Sequence, residues 1–177
     1  MTRKFYTGIG ARETPDEILI KMYSLAGILE DLDWTLRSGG QPKGADAAFY
    51  HGVKHAGNRV IYKPVHWFKR DNEPKIMDAA YEIAAKHHPV WDKLPFYTKN
   101  LMARNVHAIL GDFLDDPSSF VVCWTSDGMN NEKSRTRKSG GTGHTLSIAN
   151  EYGIKIYNLK NIEDEEALNI TLNGCLF

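Results

Sequence analysis

Cysteines, long apolar runs and an excess of either charge are all scarce or missing in this 177-residue chain. The two cysteines, Cys123 and Cys175, are too few for the disulfide framework of a small secreted domain. No apolar run is long enough to cross a bilayer, and no signal-peptide pattern follows Met1. We therefore expect a cytoplasmic protein with no membrane partner.

The charges balance, with 22 basic and 22 acidic residues and a formal net charge of zero. Proteins that hold a nucleic-acid backbone over a wide surface are usually strongly basic. The balance therefore argues against extended DNA binding, although a small basic patch remains compatible with it. The length and an apolar content of 42% fit one globular domain with its own core.

Short apolar runs alternate with helical patterns along the chain, which favours an α/β fold with a parallel sheet. Strands are predicted at 5–8, 34–37, 59–62, 120–124 and 154–157. Helices are predicted at 14–32, 44–57, 75–86, 99–113, 146–152 and 163–168. Between them, residues 63–98 are rich in proline and aromatic residues, including Trp67 and Phe68, and predict an insertion. The expected architecture is a Rossmann-like, doubly wound, mostly parallel sheet carrying that insertion.

Three glycine clusters follow predicted strands, and the richest is Ser139-Gly140-Gly141-Thr142-Gly143-His144-Thr145. A strand, a glycine-rich turn and a helix start together favour a phosphate site. Glycine lets the backbone approach an anion, and the helix start presents free N–H groups and a positive dipole end. The alternative is an ordinary tight turn. The residues of the three clusters that we expect at the site are Gly8, Gly10, Ala11, Arg12, Ser38, Gly39, Gly40, Gly44, Asp46, Gly140, Gly141, Thr142, Gly143, His144 and Thr145.

Several of these side chains have more than one interpretation. Arg12 matches phosphate geometry in a two-pronged fashion, or lies in a plain loop. Asp46 either accepts from a ribose hydroxyl or caps its helix. His144 could donate to a phosphate, act as a base or cap a helix. Trp124 lies where a base or ribose would sit, or belongs to the core.

Two further features concern the metal content and the basic loop. His51 and His55 are four residues apart but have no third ligand, so we expect no metal site and no resident cofactor. Residues 125–139 are polar and end in a basic run, which predicts a long, mobile loop that could fold over an anionic ligand.

The glycine clusters, in this order, resemble a known superfamily. The matching segments are Gly8-Ile9-Gly10-Ala11-Arg12, Leu36-Arg37-Ser38-Gly39-Gly40, Gly44-Ala45-Asp46, Ala103-Arg104-Asn105 and Gly140-Gly141-Thr142-Gly143-His144-Thr145. Most of the chain, from Phe5 to Leu159, is similar to the SLOG superfamily, which includes DNA-processing protein A and the lonely-guy hydrolases. Within it, the chain is most similar to small stand-alone DNA-processing-A-like proteins, many of them encoded by bacteriophages.

The resemblance implies a nucleotide-like ligand at the carboxyl ends of the strands, as is general for open α/β sheets. It adds Arg104 and Asn105 to the expected contacts and implies a homo-oligomer. The chain departs from the hydrolase motif, because Ser147 stands where that motif has its glutamate. Glu151, one helical turn later, is a candidate substitute, and the other candidate acid–base groups are His144 and Asp46.

Three functions therefore remain open. The first is a protein that binds an ADP-ribose-type or cyclic signalling nucleotide, which a phage would use to sequester an immune signal in its host's cytoplasm. The second is a hydrolase of a nucleotide N-glycosidic or phosphoester bond, on the lonely-guy pattern. The third, disfavoured by the neutral charge, is a single-stranded DNA-binding recombination mediator.

Overall fold

A computed structural model describes residues 3–63 and 74–174 of the chain. Its strands are β1 (Lys4–Gly8), β2 (Trp34–Ser38), β3 (Arg59–Ile61), β4 (Phe120–Cys123) and β5 (Lys155–Asn158). They form one five-stranded sheet in the order β3-β2-β1-β4-β5, and every neighbouring pair is parallel. This confirms the Rossmann-like, doubly wound fold predicted from the sequence.

The helices are α1 (Asp16–Asp31), α2 (Ala45–Gly52), α3 (Pro74–Lys86), α4 (Phe96–Leu110), α5 (Gly140–Glu151) and α6 (Ile162–Gly174). Short 3-10 turns lie at Ala56–Asn58, Trp91–Lys93, Glu132–Ser134 and Arg137–Ser139. Among the described residues, no helix is long and apolar enough to cross a membrane.

Two boundaries differ from the sequence prediction in ways that matter for the site. Helix α5 begins at Gly140, so the glycines expected to form a turn are its first turn. Within 63–98, the helix predicted at 75–86 is present as α3, and the differences are a 3-10 turn at Trp91–Lys93 and a start of α4 at Phe96, where the prediction had 99. The aromatic residues Trp67 and Phe68 lie outside the described residues.

The sheet is covered on both faces, as a parallel sheet requires. One core cluster packs residues of α1, α2 and α6 against Phe120 and Val122 of β4. The other packs residues of α3, α4 and α5 against Val121 and Cys123 of the same strand. Because side chains of a strand alternate between faces, the continuous apolar run of β4 serves both cores.

The strand order reverses between β1 and β4. From β1 the chain moves outward through β2 to β3, and it then crosses back to β4 and β5 on the other side. In open α/β sheets this switch point leaves a crevice at the carboxyl ends of the strands, where ligands bind. The loop after β1 and the start of α5 both lie at that end.

A buried carboxylate of α1 holds the connection between α2 and β3. Glu30 is 7% exposed, and its oxygens accept hydrogen bonds from the backbone N–H groups of Lys54 and His55, from the ring of His55 and from the amide of Asn58. Burial acts to raise the pKa of Glu30, but these hydrogen bonds outweigh it and lower the pKa to about 2.

The first prediction concerns stability in acid. We expect Glu30→Gln to destabilise the protein by about 2 kcal/mol near neutral pH, since hydrogen bonds to a charged group contribute this much. The pKa of Glu30 is lower in the folded state than in the unfolded state. Its contribution is therefore fully present above about pH 4.5 and is lost as the pH falls towards about 2.

Thermal denaturation between pH 7 and pH 2.5 measures this effect. At pH 7 the variant should melt about 4–8 °C below the wild type, for a chain of this size. The gap should narrow as the pH falls. Glu166→Gln, at an exposed position on α6, is the matched control and should leave the melting temperature unchanged. A gap that stays constant down to pH 2.5 would contradict the prediction.

Candidate functional site

A cavity of about 380 Å³ lies at the carboxyl ends of the strands, and we refer to it as the anion cavity. Its walls come from the loops after β1 and β2, from α2 and α4, and from the start of α5. It is lined by Ile9, Gly10, Ala11, Arg12, Glu13, Gly39, Gln41, Asp46, Leu101, Met102, Arg104, Asn105, Lys138, Ser139, Gly140, Gly141, Thr142 and Thr145. Its volume lies in the range of about 300–1,000 Å³ that is usual for small-molecule sites.

The loop after β1 is shaped by close backbone contacts. A Cβ atom on Gly10 would lie 2.6 Å from the Cβ of Ala45, at the start of α2. Gly44 has a φ of +76°, and a Cβ there would lie 2.7 Å from the carbonyl oxygen of Ala11. Only glycine suits both positions without a shift, so α2 and this loop can pack directly against each other. The exposed Arg12 then lies at the rim of the cavity.

Arg104 of α4 is the most unusual residue of the cavity. It is 4% exposed, and its Nε and Nη1 atoms are buried with no hydrogen-bond partner. Among the described residues no ion pair joins it to an acid. A buried guanidinium without partners is costly, because its N–H groups have lost water and gained nothing in exchange. Two nitrogen atoms of Arg104 therefore lack a hydrogen-bond acceptor, in a side chain that lines the cavity.

Gly39 makes the position of Arg104 possible. A Cβ atom on Gly39 would lie only 1.7 Å from Nη1 of Arg104 and 2.9 Å from Oδ2 of Asp46. The guanidinium thus lies directly against the backbone at the end of β2. The absence of a side chain at Gly39 brings a buried cation and a buried carboxylate to the same point of the cavity wall.

Asp46, in the first turn of α2, is 6% exposed and lines the same wall. Its Oδ2 accepts from the backbone N–H of Gln41 at 3.2 Å. Burial raises the pKa of Asp46 above its ordinary value, while the hydrogen bond from Gln41, the charge of Arg104 and the N–H of Gly10 act against the rise. Burial also lowers the pKa of Arg104, and the nearby Asp46 opposes that shift. The cavity therefore holds a carboxylate that can accept from a hydroxyl group, or a carboxylic acid that can donate.

The start of α5 forms the opposite wall. Ser139 precedes the helix but its side chain makes no capping hydrogen bond. The first N–H groups of any helix lack intrahelical acceptors, and here the exposed Gly141 and the half-buried Thr142 present that turn to the cavity. Lys138 and the buried Thr145 line the same wall. A helix start, a lysine and two hydroxyl groups make this wall suited to a phosphate.

The loop of residues 125–139 is organised by one carboxylate. Asp127 accepts from the hydroxyl groups of Thr136 and Ser139 and from the backbone N–H groups of Thr136 and Met129. Burial acts to raise the pKa of Asp127, but hydrogen bonds from Ser139, Thr136 and Thr125 lower it to about 2. Asp127 therefore stays ionised and fixes the turn that carries Lys138 into the cavity.

The structure brings most of the sequence-predicted site residues to the cavity but leaves some elsewhere. Gly8 packs against Phe49, and Trp124 belongs to the core cluster on the α1 face. The predicted residues that do not line the cavity are Gly8, Ser38, Gly40, Gly44, Trp124, Gly143 and His144.

His144 lies outside the cavity, on another face of α5. It is 1% exposed, and its Nε2 lies 2.8 Å from the carbonyl oxygen of Ala84 in α3. Burial lowers the pKa of His144 to about 4, against the effect of that hydrogen bond. The neutral ring therefore joins α5 to α3.

The positions that matter for a hydrolase also lie away from the cavity. Ser147 is buried and bonds to Arg135 and Glu132. Glu151 pairs with Lys86 and His87 on the α3 side. Of the three candidate acid–base groups, only Asp46 lines the cavity.

Several lining residues were not expected from the sequence. Leu101 and Met102 supply the apolar part of the wall, and a Cβ on Gly141 would lie 3.8 Å from Cε of Met102. No motif marks them, since they reach the site through the packing of α4. Lys138 had a sequence signal in the basic run before the glycines. The unexpected lining residues are Ile9, Glu13, Gln41, Leu101, Met102, Lys138 and Ser139.

In comparisons with known proteins, no family model, curated protein or solved structure matches this chain. Among the described residues, no group of three His, Cys, Asp or Glu side chains is placed to hold a metal ion.

Proposed function

We propose that the protein binds a nucleotide-derived small molecule in the anion cavity. The observation that carries this proposal is Arg104, whose buried guanidinium has two nitrogen atoms without acceptors at the cavity wall. Because Arg104 lines the cavity, an anionic ligand there would give its guanidinium a counter-charge and an acceptor, and a charged hydrogen bond to a guanidinium is among the stronger contacts available.

Three regions of the cavity wall suit three chemical parts of such a ligand. A phosphate at the start of α5 would accept from the N–H groups near Gly141 and Thr142 and would lie near Lys138. A ribose hydroxyl would donate to Asp46. The apolar side chains of Leu101 and Met102 offer a surface for a base. This combination of an anionic, a polar and an apolar part favours a nucleotide over free phosphate.

The biological role that we propose follows from the resemblance to the SLOG superfamily. A small protein that binds a signalling nucleotide of the ADP-ribose or cyclic type without cleaving it would lower the free concentration of that nucleotide. A phage protein with this activity would sequester an immune signal in the cytoplasm of its host. Two observations support binding without hydrolysis. Ser147 replaces the glutamate of the hydrolase motif, and both Ser147 and Glu151 lie outside the cavity.

One observation favours a second candidate, a hydrolase of a nucleotide N-glycosidic or phosphoester bond. Asp46 is a buried carboxyl with a raised pKa at the cavity wall, and such groups often act as general acids. The two candidates differ in what they release. A hydrolase would convert the nucleotide, and Asp46→Asn would stop the conversion, whereas a binding protein would return the nucleotide intact.

The test combines mass spectrometry of any small molecule released on denaturation with a thermal-shift panel. The panel contains adenosine, AMP, ADP-ribose, a cyclic dinucleotide and single-stranded oligonucleotides. We expect at least one of the mononucleotide, ADP-ribose or cyclic ligands to raise the melting temperature, by an amount that grows with concentration, and adenosine to have little effect. Stabilisation by oligonucleotides alone would overturn the proposal in favour of DNA binding.

A further inference from the structure

A second cavity of about 720 Å³ lies on the other side of the turn Arg137–Ser139. Its walls come from the end of α3, the following turn and the basic loop. It is lined by Lys86, His87, His88, Pro89, Glu132, Arg135, Thr136, Arg137 and Gly140. Its lining is strongly basic, and only Glu132 contributes an acidic side chain to it.

Most of these cations are already engaged. Lys86 pairs with Glu151. Arg135 pairs with Glu132 and donates to the hydroxyl of Ser147. Arg137 differs, since among the described residues no ion pair or side-chain hydrogen bond holds its exposed side chain. The second cavity therefore contains a cation that is available to a ligand.

The two cavities adjoin at Gly140, which lines both. Gly140 has a φ of +56°, and a Cβ atom built there would meet no atom within 4 Å. In the turn just before Gly140, two consecutive residues line different cavities. Lys138 lines the anion cavity and Arg137 lines the second cavity. The passage over Gly140 is open to a chain that links two anionic groups.

We propose that the ligand has two parts, a nucleotide unit in the anion cavity and a second phosphate-bearing unit in the second cavity beside Arg137. The ligand class is thus a dinucleotide or a nucleotide joined to a second phosphorylated unit. This inference rests on the proposed function, because it needs a nucleotide in the first cavity. It adds a separate anion subsite, in which His88 lines the same cavity as Arg137.

The experiment measures affinity by calorimetry for AMP and for a linear diadenylate that carries a 5′-phosphate. The wild type should bind the diadenylate about tenfold more tightly than AMP, the difference expected from one additional charged contact. Arg137→Gln should weaken diadenylate binding about tenfold and leave AMP binding unchanged. Lys138→Gln should weaken both ligands. Lys133→Gln, an exposed cation of the same loop that lines neither cavity, should change neither.

The outcomes separate this inference from the proposed function. If AMP binds and Arg137→Gln leaves the diadenylate unaffected, or weakens both ligands equally, the second subsite is refuted while the proposed function stands. If neither ligand binds the wild type and no other nucleotide does, the proposed function fails and this inference fails with it.

Discussion

Replacing Arg104 by methionine is expected to weaken nucleotide binding at least about 30-fold. Removing one partner of a buried charged contact with a ligand costs about 2–5 kcal/mol, which corresponds to a factor of about 30 to several thousand in the dissociation constant. Methionine keeps an unbranched, flexible side chain in the space of the arginine stem, so the packing of α4 changes little. Calorimetry with the ligand identified by the thermal-shift panel measures the loss.

The effect of this substitution on the stability of the ligand-free protein should be small. The Nε and Nη1 atoms of Arg104 are buried without acceptors, so the ligand-free protein loses no hydrogen bond from them in Arg104→Met. The charge of Asp46 does lose a neighbouring cation, and Asp46→Asn in the same chain removes that effect. We therefore expect the double variant to melt within a few degrees of the wild type.

Arg59→Met serves as the control for a general effect of losing an arginine. Its guanidinium donates to the carbonyl oxygens of Tyr50 and Val53 and lies over the ring of Tyr50, away from the cavity. This variant should melt at a lower temperature than the wild type and bind the ligand as well as the wild type does. Wild-type affinity in Arg104→Met would show that Arg104 does not hold the ligand.

The sequence predicted the fold well because the relevant signals are local. The apolar run at 120–124 and the alternation of strands and helices are both present in the structure, with boundary shifts of up to six residues. The burial of Arg104 without hydrogen-bond acceptors could not be predicted, because it depends on how closely α4 approaches the end of β2. Its place in the site came only from the resemblance of Ala103-Arg104-Asn105 to a family motif. Leu101 and Met102 were missed for the same tertiary reason.

The glycine-rich segment shows why some predicted contacts lie elsewhere. The sequence suggested a turn, in which successive residues could all face one ligand. The structure begins a helix at Gly140, and successive residues of a helix are rotated by about 100°. Gly141 and Thr145, four residues apart, therefore share the cavity face, while Gly143 packs on Ser139 and His144 faces α3. Helix periodicity from Gly140 groups Gly141 with Thr145 and puts Gly143 on the opposite side, whereas Gly140 and Thr142 line the cavity because they belong to the first turn.

Replacing Gly39 by alanine is expected to weaken binding at least tenfold with little loss of stability. The new methyl group would lie 1.7 Å from Nη1 of Arg104, so the guanidinium must move away from its place at the cavity wall. The displaced group is the far end of a flexible side chain, and Gly39 does not have a positive φ, so the backbone tolerates alanine. Calorimetry and thermal denaturation on the same preparation separate the two effects.

Gly57→Ala is the matched control, because a Cβ atom at Gly57 would meet nothing within 4 Å. It should leave both affinity and melting temperature unchanged. The decisive measurement is a double-mutant cycle with Arg104→Met. If Gly39→Ala acts only by moving the guanidinium, it should have no further effect once Arg104 is gone, and the coupling free energy should equal the whole effect of Gly39→Ala. Additive losses would mean that Gly39→Ala acts independently of Arg104, either by displacing Asp46, whose Oδ2 would lie 2.9 Å from the new methyl group, or through a ligand contact of the Gly39 backbone.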